Sequence, residues 1–430
     1  MLLREERREA SLHKAFKYRL YPNRATERQL YHVLNRCREL YNAALSERKD
    51  AYQQDQRTTV VQGTLRVVAA TMIAGRQIKP MSFYIQRRDL VEIKQERPEY
   101  QDIASHVLQD VLNRLDKAFA AFFRRIKQGD TSGYPRFKGR NRYDSFTYPD
   151  TAGWKFDSWY LHLSKIGSIK VKLHRKLEGQ IKTVTIKCEG EHWYVVFCCE
   201  VEASAKLPVS YEDVGIDLGV THLATLSNSE MIEHPRYYRK AEKQLKQRQQ
   251  ALSRKKKGSH RRERIKGLIG KAHRRIARQR RDFLHKQSRK LVERYQVIVF
   301  EDIHVANLTK RPAPKQDEQG RYLPNGASQK AGLNKSMQDA GWGAFVSMCQ
   351  AKAEEAGRVL LKVSPRFTSQ ICSQCGAVRK KDLSERWHSC DCGAELDRDV
   401  NAAINILERG KKVLWITNTQ GGKRPTPVTA

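Results

Sequence analysis

The chain has 430 residues and carries 82 Lys and Arg against 47 Asp and Glu, a formal net charge of +35 at neutral pH. Hydrophobic residues make up 39% of the sequence, which excludes a wholly disordered chain. The sequence has neither an apolar run of membrane-spanning length nor a signal-peptide core, so it predicts a soluble protein that stays inside the cell, and its charge predicts a nucleic-acid partner.

The N-terminal region is predicted to form a strand followed by helices. Residues 14–21 (KAFKYRLY) read as the strand, which ends in a Pro-Asn turn. Apolar side chains then recur at the helical period in residues 30–45 and again in residues 107–126. Thr26 and Gln29 are placed to form a capping box at the start of the first helix. The pattern therefore indicates a helical block after one strand.

Alternating polar and apolar residues replace the helical period between Tyr134 and Glu202. The clearest segments are Ile169–Leu173, Thr183–Lys187 and His192–Glu202, separated by turns that contain Gly. Such alternation is typical of strands. It predicts a small β-domain, which the first strand of the chain would complete.

The remainder of the chain predicts alternating strands and helices. The predicted elements are a hairpin at 214–219 and 221–227, a long helical stretch at 237–295 broken at 258–260, a buried strand at 295–303, a helix at 341–356, a strand at 359–364 and a helix at 399–408. Residues 305–336 are rich in Pro, Gly, Asn and Lys and predict a mobile loop. The residues after Thr417 predict a disordered tail.

Three carboxylates stand where a metal site could form. Asp217 follows a short apolar run, Glu301 ends the run VIVF, and Asp399 begins a helix. RNase H-like nucleases gather carboxylates around two Mg²⁺ ions in this order along the chain, with two acids on strands and a third on a late helix. Each residue also has a structural alternative, as a turn residue, a strand-end charge or a helix N-terminal charge. Asp213, Asp302 and Asp397 lie close by in the sequence. We interpret Asp302 and Asp397 as structural residues or as residues that support the metal ligands.

Four cysteines crowd together near the C-terminus: Cys372, Cys375, Cys390 and Cys392. The first two have the spacing of a zinc knuckle, with a following Gly that permits the tight turn. The second pair is spaced CxC rather than CxxC, so either Cys390 is a ligand with altered geometry or His388 replaces it. We favour coordination of the metal by all four cysteines. Four thiolates leave no open position for water, which predicts one structural Zn²⁺.

Basic residues concentrate between Arg236 and Lys290, where 23 Lys or Arg face three acids. This imbalance on predicted helices favours a surface that follows phosphates over a merely solvated face. A second basic stretch, residues 134–142, is interleaved with aromatic residues and either stacks bases or joins domains. The candidate nucleic-acid contacts are Arg254, Lys255, Lys256, Lys257, Arg261, Arg262, Arg274, Arg275, Arg136 and Lys138.

Six motifs occur in a fixed order along the chain: GIDLGVTHLATLS, DFLHK, VFEDI, DAGWG, SPRFTSQICSQCG and LDRDVNAAIN. Together they resemble the TnpB family of transposon-encoded proteins, which is related to the type V CRISPR effector nucleases. KYRLYPN and GYPRFKGR also resemble the N-terminal half of that family. The resemblance therefore extends over nearly the whole chain.

The resemblance implies an RNA-guided DNA endonuclease encoded by an insertion sequence. Asp217, Glu301 and Asp399 would be the catalytic carboxylates, holding two Mg²⁺ or Mn²⁺ ions, and the family's zinc ligands fall on the four cysteines with Cys390 displaced by one position. The guide RNA would come from the transposon end, and the target would be double-stranded DNA beside a short flanking motif. The resemblance implies no membrane or small-molecule partner, and it implies a cytoplasmic, nucleoid-associated protein of a prokaryote.

The implied fold is multidomain, α+β and α/β, in which a β wedge domain with an inserted helical recognition domain precedes an RNase H-like (RuvC-like) nuclease domain with an inserted zinc ribbon. The wedge domain is expected to cover residues 1–22 and 134–208, and the recognition domain residues 23–133. The nuclease domain is expected at residues 209–367 and 397–410, and it includes the basic helices at 236–293 and the mobile loop at 305–336. The zinc-binding domain would cover residues 368–396 and the C-terminal tail residues 411–430.

Other functions remain as alternatives at this point. A relative without nuclease activity would act as a guide-dependent DNA-binding repressor, but the presence of all three carboxylates disfavours it. A transposase that transfers strands also uses three acids on an RNase H-like fold, and only the motif set disfavours it. Single-strand transposases with a His-x-His metal site are disfavoured because no two of the 13 histidines have that spacing. An RNA-binding zinc protein would leave Asp217 and Glu301 unexplained.

Overall fold

The computed structural model describes residues 12–61, 72–73, 76–77, 81–130, 132–140, 142–202, 206–382 and 385–419. The chain divides into two compact units, an N-terminal unit of residues 1–203 and a C-terminal unit of residues 204–430. Each unit has its own sheet and its own hydrophobic core. In the part of the chain that is described, no helix is both long and apolar enough to cross a membrane.

The N-terminal unit is built on a seven-stranded antiparallel sheet. The strands of this unit are β1 (Leu12–Tyr21), β2 (Met72–Ile73), β3 (Arg76–Gln77), β4 (Ser145–Tyr148), β5 (Trp154–Phe156), β6 (Tyr160–Leu163), β7 (Gly167–Lys172), β8 (Gln180–Glu189) and β9 (His192–Val201). The order in the sheet is β4-β8-β9-β1-β7-β6-β5, while β2 and β3 form a separate hairpin. Because β1 pairs with both β7 and β9, the prediction that the first strand completes the β-domain is confirmed.

Three helices pack with this sheet: α1 (Arg24–Val61), α2 (Phe83–Glu96) and α3 (Ser105–Lys127). The periodic apolar residues are buried as expected from Leu30 to Leu45 in α1 and from Val107 to Phe119 in α3, whereas Phe123 and Ile126 at the end of α3 are exposed. The predicted capping box is wrong. The backbone N–H of Thr26 donates to the Asn23 side chain over 2.8 Å, so Asn23 caps α1. Asparagine is among the strongest N-cap residues, and it begins the helix three residues earlier.

A mixed five-stranded sheet forms the centre of the C-terminal unit. The strands of this unit are β10 (Asp213–Asp217), β11 (His222–Leu226), β12 (Met231–Glu233), β13 (Val297–Glu301), β14 (Lys315–Gln316), β15 (Tyr322–Leu323), β16 (Val359–Val363), β17 (Trp387–Ser389) and β18 (Glu395–Asp397). The sheet order is β12-β11-β10-β13-β16, with β10, β13 and β16 parallel and the other two antiparallel. β14 pairs with β15 and β17 with β18 in two small hairpins.

The described part of the C-terminal unit contains six α-helices: α4 (Tyr237–Ser253), α5 (His260–Arg294), α6 (Val305–Leu308), α7 (Ala327–Ala340), α8 (Trp342–Ala356) and α9 (Arg398–Thr419). The expected break in the basic helical stretch is confirmed, since α4 ends at Ser253 and α5 begins at His260. α5 packs against α8, whose residues Phe345 and Cys349 are fully buried in the core.

Two expectations about irregular segments are wrong. Residues 305–336 contain α6, the β14–β15 hairpin and most of α7 instead of a continuous loop. The pattern missed α7 because its buried residues, Met337, Asp339 and Ala340, all lie near its C-terminal end. The expected tail from residue 411 begins as the second half of α9. There Leu414 packs with Val299 and Val363, and this packing extends the helix to Thr419.

Gly215 allows α9 to lie directly against β10. A Cβ atom at this position would stand 2.1 Å from the carbonyl oxygen of Ala403 and 2.6 Å from the backbone nitrogen of Leu407. Only a residue without a side chain permits this approach of backbone to strand. The contact brings the start of α9, which carries Asp399, to the edge of the sheet where β10 ends.

Candidate active site and zinc centre

Asp217 and Glu301 occupy the last positions of neighbouring parallel strands. Ile216 of β10 pairs with Phe300 of β13. The next residue of each strand is one of the two acids, so the acids lie side by side at the same edge of the sheet. Asp399 lies in the first turn of α9, which packs on β10. We call Asp217, Glu301 and Asp399 the carboxylate trio. The structure thus brings together three residues that are far apart in the sequence.

The charges of Glu301 and Asp399 act against the ionised form of Asp217. Burial raises the pKa of Asp217 well above its usual range, and the charges of Glu301 and Asp399 raise it further. Burial also raises the pKa of Glu301, while a hydrogen bond from Thr368 opposes that rise. Bound divalent cations would relieve this repulsion, and carboxylate oxygens are the ligands that Mg²⁺ and Mn²⁺ prefer. The donor set therefore fits hard divalent ions.

The spacing of the trio differs from that of a closed metal site. Among the residues that the structure describes, only the four cysteines form a cluster in which three or more ligand atoms lie within 4.8 Å of one another. The carboxylates are therefore spread more widely than the ligands of one enclosed ion. Two-metal sites hold their ions about 4 Å apart, so such a site does not require all of its ligand atoms to lie around one point.

The neighbouring acids have structural partners. Asp397 accepts hydrogen bonds from the backbone N–H groups of Asp399 and Val400 and so caps α9. Asp213 accepts a hydrogen bond from the backbone of Val297, between the two central strands. Asp302 is exposed and lies 4.0 Å from the ring of His304. These contacts support the trio over its neighbours.

Two residues beside the trio were missed by the sequence reasoning. Thr368, which is buried, donates its hydroxyl hydrogen to Glu301 over 2.5 Å. Trp342 donates its indole N–H to the carbonyl oxygen of Gly219, in the turn that follows Asp217, over 3.1 Å. Trp342 also lines a cavity of about 170 Å³ beside Glu301. Both residues lie in quoted motifs, SPRFTSQICSQCG and DAGWG, and only this membership could have indicated them.

The four cysteine sulfurs form a compact cluster. The Sγ atoms of Cys372 and Cys392 are 3.7 Å apart, and those of Cys375 and Cys390 are 3.6 Å apart. A tetrahedral Zn²⁺ with Zn–S bonds of about 2.3 Å would place its sulfurs about 3.8 Å apart. The four thiols therefore fit a structural zinc ion at the turn of the β17–β18 hairpin.

His388 stands beside this cluster rather than in it. Its side chain is fully buried, and its Nδ1 atom contacts the Lys381 ammonium group. Cys390, by contrast, has its sulfur within the cluster despite the CxC spacing. A tight turn in which the N–H of Gly393 donates to the Cys390 carbonyl accommodates the shorter spacing. The geometry favours four cysteines.

The predicted basic surface lies on α4, α5 and the turn between them. Lys256 and Lys257 are exposed in the turn, as are Arg254 at the end of α4 and Arg261 and Arg275 on α5, whereas Lys255 and Arg274 are partly buried. Arg262 differs from the others. Its guanidinium donates to the carbonyl oxygens of Leu252 and Lys255, which terminates α4 and gives this residue a structural role.

The second basic stretch is joined to α1 in the N-terminal unit. Asn42 makes two hydrogen bonds with the backbone of Lys138, at 3.0 and 2.8 Å. Phe137 remains 49% exposed, with the Lys49 ammonium 4.5 Å from its ring centre, and Arg136 is exposed. The stretch therefore connects elements and also presents an aromatic ring among basic groups.

Three segments match known family models. Residues 196–312 match the OrfB_IS605 model, described as "Probable transposase", residues 342–406 match "Cas12f1-like, TNB domain", and residues 12–57 match "Helix-turn-helix domain". A curated protein of Escherichia coli K12, "Putative RNA-guided DNA endonuclease InsQ", is 31% identical over 93% of both chains. The chain belongs to the TnpB family. A second member, "Putative RNA-guided DNA endonuclease" of Streptomyces pristinaespiralis, is 33% identical over 92% of this chain and 89% of its own length.

The fold of this TnpB chain is similar to that of a solved type V effector. The "Cryo-EM structure of the Cas12f1-sgRNA-target DNA complex" has a TM-score of 0.50 and 13% sequence identity, covering 92% of this chain and 98% of the other. With the mixed sheet and the four-cysteine hairpin, this likeness confirms the expected fold class, a multidomain α+β and α/β chain with a RuvC-like nuclease domain and a zinc ribbon.

Proposed function

We propose that this protein is an RNA-guided DNA endonuclease encoded by an insertion sequence, which hydrolyses phosphodiester bonds at guide-matched sites beside a short flanking motif. The observation that carries the proposal is the meeting of Asp217, Glu301 and Asp399 at one sheet edge. Two relatives that match over nearly the full length are named "Putative RNA-guided DNA endonuclease". A repressor without cleavage has no use for an acid at the end of β10 whose charge is opposed by two neighbouring carboxylates.

The carboxylate trio would hold two Mg²⁺ or Mn²⁺ ions. Bound there, the ions would supply an activated water and stabilise the leaving 3′ oxygen. Asp217 and Glu301 are fixed by strand ends, and the start of α9 fixes Asp399, so the three oxygen donors are oriented before ions or substrate bind. The four cysteines would hold one structural Zn²⁺.

A guide RNA from the transposon end and double-stranded target DNA are the proposed partners. The formal charge of +35 suits long stretches of phosphate, and the exposed basic residues of α4 and α5 supply part of it. In guided recognition, base pairing reads the sequence, and the protein needs only to hold the backbone and read the short flanking motif. This division explains a surface rich in Lys and Arg.

Sequencing the RNA that copurifies with the protein tests the guide. The chain is expressed with its native flanking DNA, and bound RNA is extracted and sequenced. We expect a discrete RNA from the 3′ flank of the gene that ends in a variable segment. A random RNA mixture, or no RNA, would contradict guided recognition and would direct the next assay to transposon-end DNA.

A single substitution tests the nuclease. Asp217→Ala should abolish Mg²⁺-dependent cleavage of guide-matched DNA and leave guide-directed DNA binding intact. Asp282→Ala is the matched control, because Asp282 is an exposed acid on α5 that pairs with Lys286. Simultaneous loss of binding and cleavage in Asp217→Ala would count against a catalytic role. Joined rather than cut products from the unmodified chain would favour a transposase.

A further inference from the structure

Glu301 has a buried hydrogen-bond donor. The hydroxyl oxygen of Thr368 lies 2.5 Å from Oε1 of Glu301, and the two residues are only 4% and 9% exposed. The same hydroxyl oxygen lies 3.2 Å from the carbonyl oxygen of Pro365. A hydroxyl has one hydrogen to donate, and the shorter contact to the carboxylate takes it. One carboxylate oxygen of Glu301 is thus held in a fixed direction.

Two asparagines of α9 hold the segment that begins with Thr368. Asn405 donates to the carbonyl oxygens of Thr368 and Ile371, at 2.9 and 2.7 Å. Asn401, which is fully buried, donates to Ile371 at 2.8 Å and accepts from the backbone N–H of Ser373 at 2.9 Å. These four bonds fix the backbone between Thr368 and Ser373 against α9.

The segment held in this way contains a zinc ligand. Cys372 lies between Ile371 and Ser373, and its sulfur belongs to the four-cysteine cluster. Its backbone N–H donates to Ala377 across the knuckle. A continuous path of hydrogen bonds and backbone therefore runs from the cluster, through the segment held by α9, to the Thr368 hydroxyl and Glu301.

We propose that Thr368 is a positioning residue for Glu301, and that the zinc ribbon and α9 together hold it in place. Divalent-ion binding at the carboxylate trio then depends on this hydroxyl. The inference rests on the proposed function, because it assumes that Glu301 is a metal ligand. Hydrogen-bond partners of metal ligands commonly contribute about 10- to 100-fold to affinity or activity by orienting the ligand.

Two substitutions at one position separate the hydroxyl from the packing. Thr368→Val keeps the shape and removes the hydroxyl, whereas Thr368→Ser keeps the hydroxyl and removes a methyl group. Mg²⁺ binding to the zinc-loaded full-length chain is measured by titration calorimetry, with cleavage as a second readout. We expect the dissociation constant for Mg²⁺ to rise about tenfold in Thr368→Val and less than threefold in Thr368→Ser.

Thr185→Val is the matched control, since it removes a hydroxyl bonded to Thr147 in the other unit, and it should leave Mg²⁺ binding unchanged. Unchanged binding in Thr368→Val, or equal weakening in Thr368→Val and Thr368→Ser, would overturn the positioning role. Asp217→Ala serves as the reference for the site itself. If Asp217→Ala binds Mg²⁺ as the unmodified chain does, the proposed metal site and this inference fail together. If Mg²⁺ binding is weakened in Asp217→Ala but not in Thr368→Val, the proposed metal site stands and only the positioning role of Thr368 fails.

Asn405→Ser tests the connection to the zinc ribbon. It shortens the side chain that holds Thr368 and Ile371 and leaves all four cysteines in place. We expect one zinc per chain and a Mg²⁺ dissociation constant several-fold above that of the unmodified chain. Normal Mg²⁺ binding in this variant would show that α9 and the ribbon do not hold Thr368, and would overturn that part of the proposal.

Discussion

Cys390 and His388 are the two candidates for the fourth zinc ligand, and substitutions at the two positions should have opposite effects on zinc content. Cys390→Ser should lower the zinc content of the purified protein and its folded yield, because three thiolates hold the ion less tightly than four. His388→Gln should retain one zinc per chain. Zinc is measured by atomic emission on protein of known concentration. Cys198→Ser is the control, and zinc loss in His388→Gln with retention in Cys390→Ser would contradict the assignment.

Trp342 acts on the turn that follows Asp217. Trp342→Phe removes the N–H group that donates to the carbonyl oxygen of Gly219, so we expect the free energy of unfolding to fall by about 1 kcal/mol. We also expect the cleavage rate to fall by a larger factor than the affinity for guide RNA. Urea unfolding and single-turnover cleavage measure the two effects. Trp159→Phe, at a tryptophan that is 67% exposed, should change neither. Cleavage at the normal rate in Trp342→Phe would refute a role for this bond.

The side chains that the sequence indicated and those that it missed differ in one physical respect. Asp217 and Glu301 could be predicted because a charge at the end of an apolar strand is visible in a local pattern. Thr368 and Trp342 act through contacts with residues more than 60 positions away in the sequence. A local pattern does not record such contacts, and the Thr at 368 reads as an ordinary loop residue.

The packing of α9 on β10 is the contact between elements that brings Asp399 to the other two acids. Gly215→Ala would place a methyl group against the backbone of Ala403, so we expect the free energy of unfolding to fall by about 3 kcal/mol or more. Gly332→Ala is the matched control, because a Cβ atom there meets nothing within 4 Å. Since Ala favours the helix over Gly, the free energy of unfolding should rise by about 0.5–1 kcal/mol in this variant. Urea unfolding followed by circular dichroism measures both changes. Equal stability of the two variants would contradict the role of Gly215.

Elements with a strong apolar period were predictable, and those stabilised at one end were not. The periodic faces of α1 and α3, and the alternation in β8 and β9, lie in the core as expected. α7 was missed because it is buried only near its C-terminal end, where the Asp339 carboxylate accepts hydrogen bonds from the first backbone N–H groups of α4. That contact between distant segments orders a stretch whose composition indicates a loop.

The charge of the whole molecule predicts a steep response to salt. If about six phosphates are neutralised, the affinity for guide RNA should fall about 10³-fold between 50 and 200 mM salt. Changing Lys255, Lys256 and Lys257 together to Gln should reduce the slope of log affinity against log salt by about three. The same three positions changed to Arg keep the charge and should keep the slope. A slope that does not change in the Gln variant would contradict a role for this turn.

The order of the elements along the chain has a consequence for biosynthesis. The sheet of the N-terminal unit is complete once β9 has been made, before any member of the carboxylate trio has been translated. Asp399 follows only with α9. Because domains commonly fold in the order in which they leave the ribosome, the N-terminal unit can fold while the growing chain still lacks the complete carboxylate trio. The three carboxylates can therefore meet only after the sheet of the N-terminal unit has been made.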